Sequence, residues 1–334
     1  MSTFKNKLRT LTLLGTAATC MTISGLAMAT EFDPDGPTPV PSTGPDQTIL
    51  AAKAAYAANP TAANWNALTA ATAALTTGPG SNPSVTGPDG GGYTGYDSLA
   101  DGVPFQFIDI SGTGAMVFDG DDVSSGPMAL SLPFEFYGEV LTDLVMASNG
   151  YISSDPTDTG PDLSNDCPLP AVPSTGGGSR MYPLHDDLIS TGYMQYFSQC
   201  PRRSDTSNGN EGCTVFQWSN ASFWPDVIDQ FEMQTIIYHG SNSITYQVGA
   251  NVANGAGSTT GTQDSTATNG LTMACDTAGS IPDNYAASIL PSTATFIAGG
   301  AVPIIPTLNI FGLLSLASLL AGIAVFRARK RKLI

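Results

Sequence analysis

Between Tyr96 and Phe296 apolar and polar residues alternate in short runs, and a turn-forming pair closes most of them. Leu130, Leu132, Phe134 and Phe136 alternate with Ser131, Pro133 and Glu135. In Phe231–Tyr238, residues Phe231, Met233, Thr235 and Ile237 share one side. Val103–Ile110, Leu144–Ile152, Met194–Phe197, Thr214–Trp218 and Ile244–Val248 read as further strands, the first with apolar residues on both sides. Tyr137–Gly138, Asn149–Gly150, Asn208–Gly209, His239–Gly240 and Asn269–Gly270 supply the turns. A period of two places alternate side chains on opposite faces of a strand, so each run can bury one face. Many short strands with no long helical stretch predict a mainly β fold, a β-sandwich over 96–298. About 200 residues suffice for one sizeable core.

The chain changes character before the sandwich. Residues 30–45 and 78–95 are rich in Pro and Gly and hold too few apolar groups for a core, so both read as linkers. Residues 46–77 are rich in alanine. Asp46 can cap one helix and Thr61 a second, with Asn59–Pro60 breaking the pattern between them. Trp65, Leu68, Thr72 and Leu75 recur at helical spacing. The expectation is a short helical hairpin, a spacer whose thin apolar stripe must lean on a neighbour.

Both termini carry addressing patterns. Lys5, Lys7 and Arg9 precede an apolar stretch, and Ala27–Met28–Ala29 has the small-x-small form that directs cleavage before Thr30. Residues 1–29 therefore read as a secretory signal peptide. A lipoprotein signal using Cys20 is disfavoured by Thr19 beside it. At the other end, residues 299–334 form a sorting or anchor segment. Leu308 to Phe326 carries no charge, and Arg327, Arg329, Lys330, Arg331 and Lys332 follow at once. As a helix, 308–326 would span roughly 28 Å, close to the bilayer's apolar core. The basic tail, 327–334, would stay on the cytoplasmic side, leaving the upstream chain outside.

Charge is divided as sharply. Lys53, Arg180, Arg202 and Arg203 are the only basic residues between Thr30 and Phe326, against all 28 acidic ones, a net charge of −24. Such a surface repels nucleic acid and anionic lipid. Cys167, Cys200, Cys213 and Cys275 remain after the leader, an even count that fits two disulfides in an oxidising compartment. Three connectivities exist. Cys200 and Cys213 flank a polar segment containing Asn208–Gly209, which favours a stapled hairpin loop and leaves Cys167 with Cys275.

Chemistry-bearing candidates are few. Asp119, Asp121 and Asp122 share a Gly-containing turn with oxygen ligands for calcium, although a solvated turn explains them more simply. His185 adjoins Asp186 and Asp187, a trio suited to acid–base work or a metal, although strand neighbours point to opposite faces and a structural turn is the simpler reading. His239 stands at a strand end, and Phe223–Trp224–Pro225 offers an aromatic for a sugar ring or for the core. No catalytic or nucleotide-binding motif stands in a supporting context.

Two resemblances join these readings. Leu132–Pro133–Phe134–Glu135–Phe136–Tyr137–Gly138, then Val145–Met146–Ala147–Ser148–Asn149–Gly150–Tyr151, resemble the strand ends of a bacterial surface-domain family related to nidogen-type modules. Phe107–Gly114 is similar to its opening strand and turn. Pro183–Leu184–His185–Asp186–Asp187–Leu188 is similar to its Trp-Asp-Asp-Leu motif, with His185 in the aromatic place. Thr262–Gln263–Asp264 and Thr268–Asn269–Gly270–Leu271 resemble its late strand pair. This resemblance implies an exported β-sandwich without shared catalytic chemistry.

Ile305–Pro306–Thr307–Leu308, Gly312, the apolar run and Arg327–Arg331 resemble an IPTL-type C-terminal sorting signal, with Asn309–Ile310–Phe311 where Ser-Glu-Trp is usual. That second resemblance implies an exosortase-type membrane transpeptidase as partner. The combined expectation is a non-enzymatic exported protein without cofactor. It is anchored in the inner membrane, then displayed at the surface or released after processing as an adhesive or matrix component, its surface ligand unknown. The other reading is a secreted hydrolase or carbohydrate-binding module that uses the acidic loops.

Overall fold

The computed structural model describes residues 45–59, 61–73, 86–158, 162–165, 167–225 and 228–300. The signal peptide with Ala27, Ala29 and Thr30, and the sorting segment with Ile305 to Arg331, lie outside these residues. Among the described residues, no helix is long and apolar enough to cross a membrane.

Two helices come first, α1 (Pro45–Ala58) and α2 (Ala62–Ala73). Thirteen strands follow: β1 (Tyr93–Asp97), β2 (Ala115–Asp121), β3 (Ser124–Phe136), β4 (Glu139–Ala147), β5 (Tyr151–Ser153), β6 (Arg180–His185), β7 (Leu188–Phe197), β8 (Cys213–Phe223), β9 (Phe231–Tyr238), β10 (Ile244–Val248), β11 (Thr259–Gln263), β12 (Gly270–Cys275) and β13 (Tyr285–Pro291). They make two antiparallel sheets. One has the order β1-β13-β10-β9-β8-β7-β2, the other β12-β11-β6-β5-β4-β3. The main core lies between them, with Phe134, Phe136, Met146 and Leu184 from one sheet meeting Trp218, Met233, Ile237 and Tyr246 from the other. Met233 and Ile237 share the core face, as the alternation in Phe231–Tyr238 requires, while Ile236 and Tyr238 pack on the outer side.

Both outer faces are covered too, and here the sequence misleads. Val103–Ile110 is extended but joins no ladder. It crosses the outer face of the seven-stranded sheet, over β10, β9 and β8. Gln217, Gln234 and Gln247 stand in register on those strands. Their amide oxygens accept the alternate N–H groups of Ile110 (2.6 Å), Ile108 (3.3 Å) and Gln106, and Gln247 Nε2 donates back to the Gln106 carbonyl at 2.8 Å. Side-chain amides thus supply what a neighbouring strand would, and apolar residues on both sides of the segment are explained by its lying flat on a sheet. We predict that Gln247→Ala, which strips both partners from Gln106, destabilises the domain by about 1–3 kcal/mol in urea unfolding, as unpaired backbone groups do.

On the six-stranded sheet, residues 154–158, 162–165 and 167–179 form the cover. Gln263 bonds both backbone groups of Ala171 (2.9 Å each), and Thr272 Oγ1 both of Leu169 (2.8 and 3.2 Å). Cys167 is joined to Cys275, tying the cover to β12, and Cys200 to Cys213, closing the loop between β7 and β8. These are the pairings that the spacing favoured. The sandwich also opens earlier than expected. Tyr93, in the segment read as a linker, is 4 % exposed and starts β1. Asp89 holds it there, accepting the Tyr93 N–H at 2.8 Å and the Tyr137 hydroxyl at 2.6 Å.

Candidate functional site

Three of the four basic residues between Thr30 and Phe326 are buried against carboxylates, and the first of them builds the site. Lys53, on α1, reaches the end of the sandwich where the β2–β3 and β6–β7 turns meet. Its Nζ lies 2.6 Å from Asp187 Oδ1, 3.1 Å from Asp122 Oδ2 and 3.2 Å from Asp121 Oδ1. The Trp224 ring closes the remaining side, 4.7 Å from the ammonium to its centroid. Trp224 is pinned in turn by its backbone N–H, which donates to the Asp187 carbonyl at 2.8 Å. Lys53, Asp121 and Asp187 are 7, 9 and 4 % exposed. Leu68, Leu50 and Tyr56 pack beside this contact against Leu163 and Trp224, which is how the hairpin finds the neighbour its sequence requires.

The motif residues converge on the same turns. Asn149, between β4 and β5, donates through Nδ2 to Asp122 Oδ1 (3.0 Å) and accepts the Leu188 N–H on Oδ1 (3.1 Å). Its carbonyl accepts His185 Nδ1–H at 2.7 Å. Gly150 follows at φ +75°, and a Cβ there would lie 1.9 Å from the Leu184 carbonyl oxygen, so no other residue fits. Ser-Asn-Gly and His-Asp-Asp-Leu are therefore one lock that joins the two sheets at this end.

Burial dominates the electrostatics. It pushes Asp187 up to about 8 and Asp121 up to about 6, each opposed by the Lys53 charge. Burial also works against the Lys53 ammonium, but Asp187, Asp122 and Asp121 together outweigh it and hold the lysine above its usual range. The three carboxylates offer oxygens within 4.8 Å of one another, a spacing suited to a cation, and the lysine ammonium sits among them.

The expected trios divide differently from their sequence neighbours. Asp119 stands apart and accepts the Thr191 hydroxyl at 2.8 Å. Asp121 and Asp122 do not form a solvated turn: they face α1. His185 leaves Asp187 and turns outward between Tyr151 and Tyr182, with ring centroids 5.4 and 5.3 Å away. There it adjoins the second buried cation, Arg180, which is 0 % exposed. Arg180 binds Asp158 at 2.9 Å and Asp162, and lies over Tyr151 at 4.4 Å. Arg202, the third, binds Asp205 at 2.7 Å and the Pro104 carbonyl at 3.0 Å. Asp205 also receives the Gly299 N–H at 2.6 Å, fixing where the chain leaves the sandwich. His239 is half-buried beside the Pro133 carbonyl, with burial lowering its pKa.

Sequence reasoning passed over Lys53, Asn149, Arg180, Asp158 and Asp162 as functional groups. Lys53 left a signal as the sole lysine between Thr30 and Phe326, and Asn149 as part of the Ser-Asn-Gly motif, read there as a turn.

A family model described as NIDO related matches residues 95–304. No curated protein and no solved structure matches the chain.

Proposed function

The chain belongs to the NIDO-related family, and on that premise we propose that it is an exported, non-catalytic protein held at the cell envelope. There its sandwich serves as an adhesive or matrix component. The domain type is non-catalytic and consistent with an extracellular, matrix-like role. The observation that carries the reading is the occupation of the acidic turns. Asp121, Asp122 and Asp187 surround Lys53, and His185 is engaged by the Asn149 carbonyl, so the polar motif residues serve to join sheets. A hydrolase using these loops would need the same carboxylates free to meet substrate.

In this reading the C-terminal segment is the handle. Pro306 disfavours helix at Ile305 and leaves Ile305–Pro306–Thr307–Leu308 extended for a membrane transpeptidase of exosortase type. Leu308–Phe326 spans the inner membrane, and Gly312 and the arginines Arg327, Arg329 and Arg331 complete the signal. The chain leaves the sandwich beside Asp205, at the Cys200–Cys213 end, whereas α1 docks at the other end of β7. Ten residues of β7 at about 3.3 Å each separate the two ends. The membrane would therefore lie near the disulfide loop, with the helical hairpin outermost.

Pro306→Ala, or deletion of 327–332, should leave full-length protein in the inner membrane. The C-terminal residue of the mature protein, read by mass spectrometry, checks this; unchanged processing in both variants would leave a plain anchor. Purified domain screened on a glycan array and a hydrolase panel should show no turnover. Turnover abolished by Asp186→Ala would establish the hydrolase reading instead.

A further inference from the structure

We propose that Lys53 and Asp187 condense to an intramolecular amide that bonds α1 covalently to the sandwich. This goes beyond the envelope role and does not depend on it. Amide formation from an amine and a carboxylic acid needs contact, exclusion of water and a nearby group to move protons. Lys53 Nζ and Asp187 Oδ1 are 2.6 Å apart, and both residues are buried. Asp187 Oδ2 has no hydrogen-bond partner, so its carboxyl is held from one side only. Asp122 and Asp121 lie 3.1 and 3.2 Å from the same nitrogen and are placed to move its protons. The Trp224 ring shields the fourth side.

The step balances within these groups. The Lys53 ammonium gives one proton to the Asp122 carboxylate and becomes an amine. The amine nitrogen attacks Asp187 Cγ, in its acid form; Asp122 passes its proton to the departing hydroxyl, and the nitrogen gives its second proton to the Asp121 carboxylate. The Cγ–O bond breaks, the Nζ–Cγ bond forms, and one water leaves. No oxidant, cofactor or added energy source enters. Burial supports the acid form of Asp187 at neutral pH.

The choice of residue points the same way. At its other two buried cations the chain uses Arg180 and Arg202, whose guanidinium forks suit carboxylates in low dielectric. At this position alone it uses lysine, the one basic side chain whose nitrogen forms a stable amide. A covalent tie would add to the hairpin's apolar contact, which among the described residues includes Leu68, Leu50, Tyr56, Ala52 and Ala71.

Intact-mass measurement on the exported protein, reduced and denatured, tests this. The mass should fall below that calculated from the sequence by one water, and a proteolytic fragment should join Lys53 to Asp187. Lys53→Arg keeps the cation and should restore the calculated mass. Asp187→Asn should still condense, lowering its own calculated mass by one ammonia. The calculated mass in a natural protein whose folding is confirmed by a cooperative thermal transition would overturn the proposal. So would a deficit that persists in Lys53→Arg.

Discussion

Arg180→Met should destabilise the domain by about 3–5 kcal/mol, the usual cost of stripping the partner from a buried charge. Native domains hold only about 5–15 kcal/mol, so this one change should shift the urea midpoint far or prevent folding. The cause is local. Asp158 and Asp162 are 1 and 0 % exposed, and Arg180 is the cation between them. Arg180 also donates to the Thr175 and Gly177 carbonyls, so it holds the cover of the six-stranded sheet as well as the charges.

The sign of the pH dependence follows from burial, which already raises Asp158 in the native state against the pull of Arg180. Without the arginine, folding would bind a proton more tightly still. The variant's deficit should therefore be smallest in acid, where the carboxyl is protonated folded and unfolded, and grow as pH rises above the ordinary carboxylate value. Adding Asp158→Asn and Asp162→Asn to Arg180→Met should recover much of the loss, because no charge then remains buried. Arg203→Met, which removes a contact to Asn210 at the loop surface, should stay within about 0.5 kcal/mol of the parent.

The second large effect belongs to the disulfide from Cys167 to Cys275. It joins residues 108 apart, whereas Cys200–Cys213 joins residues 13 apart. Chain entropy assigns about 4–5 kcal/mol to the long loop and about 3 to the short one. The double substitution Cys167→Ser with Cys275→Ser should lower Tm more than Cys200→Ser with Cys213→Ser. A larger loss from the short loop would mean that its contacts, Arg202 with Asp205 above all, depend on the staple.

How far the fold could be read depended on which neighbour buries each segment. β9 and β10 were legible because one face meets the core, and alternation records that. β11, with the sequence Thr-Thr-Gly-Thr-Gln, carries no apolar alternation and shows itself only through the resemblance of Thr262–Gln263–Asp264 to a family strand, yet all five residues are buried. Its outer face lies beneath residues 167–171 of the cover, where hydroxyls and an amide serve backbone groups, so burial leaves no apolar pattern. β13 is hidden for a related reason: Ala286, Ala287 and Ser288 are small because both faces are packed. Val103–Ile110 failed in the opposite sense, since it alternates like a strand and crosses the sheet over β10, β9 and β8 instead.

The site was half legible. Asn149–Gly150 and Asp186–Asp187 stood out as motif, but nothing local ties Asp121 to Asp187. Their common partner is Lys53, 68 and 134 residues away. Such contacts arise only when the sandwich has formed and the hairpin has docked, so spacing along the chain cannot encode them.

The inward placement of these cations also bears on resistance to proteolysis. Proteases that cut after lysine or arginine find Lys53 in its acidic pocket and Arg180 and Arg202 within the core. Arg203, the fourth such residue between Thr30 and Phe326, lies inside the loop that Cys200 and Cys213 close. A cut there would leave both halves joined. Between Thr30 and Phe326, the interval that holds all 28 acidic residues, enzymes of this class should therefore find little to cut while the domain stays folded.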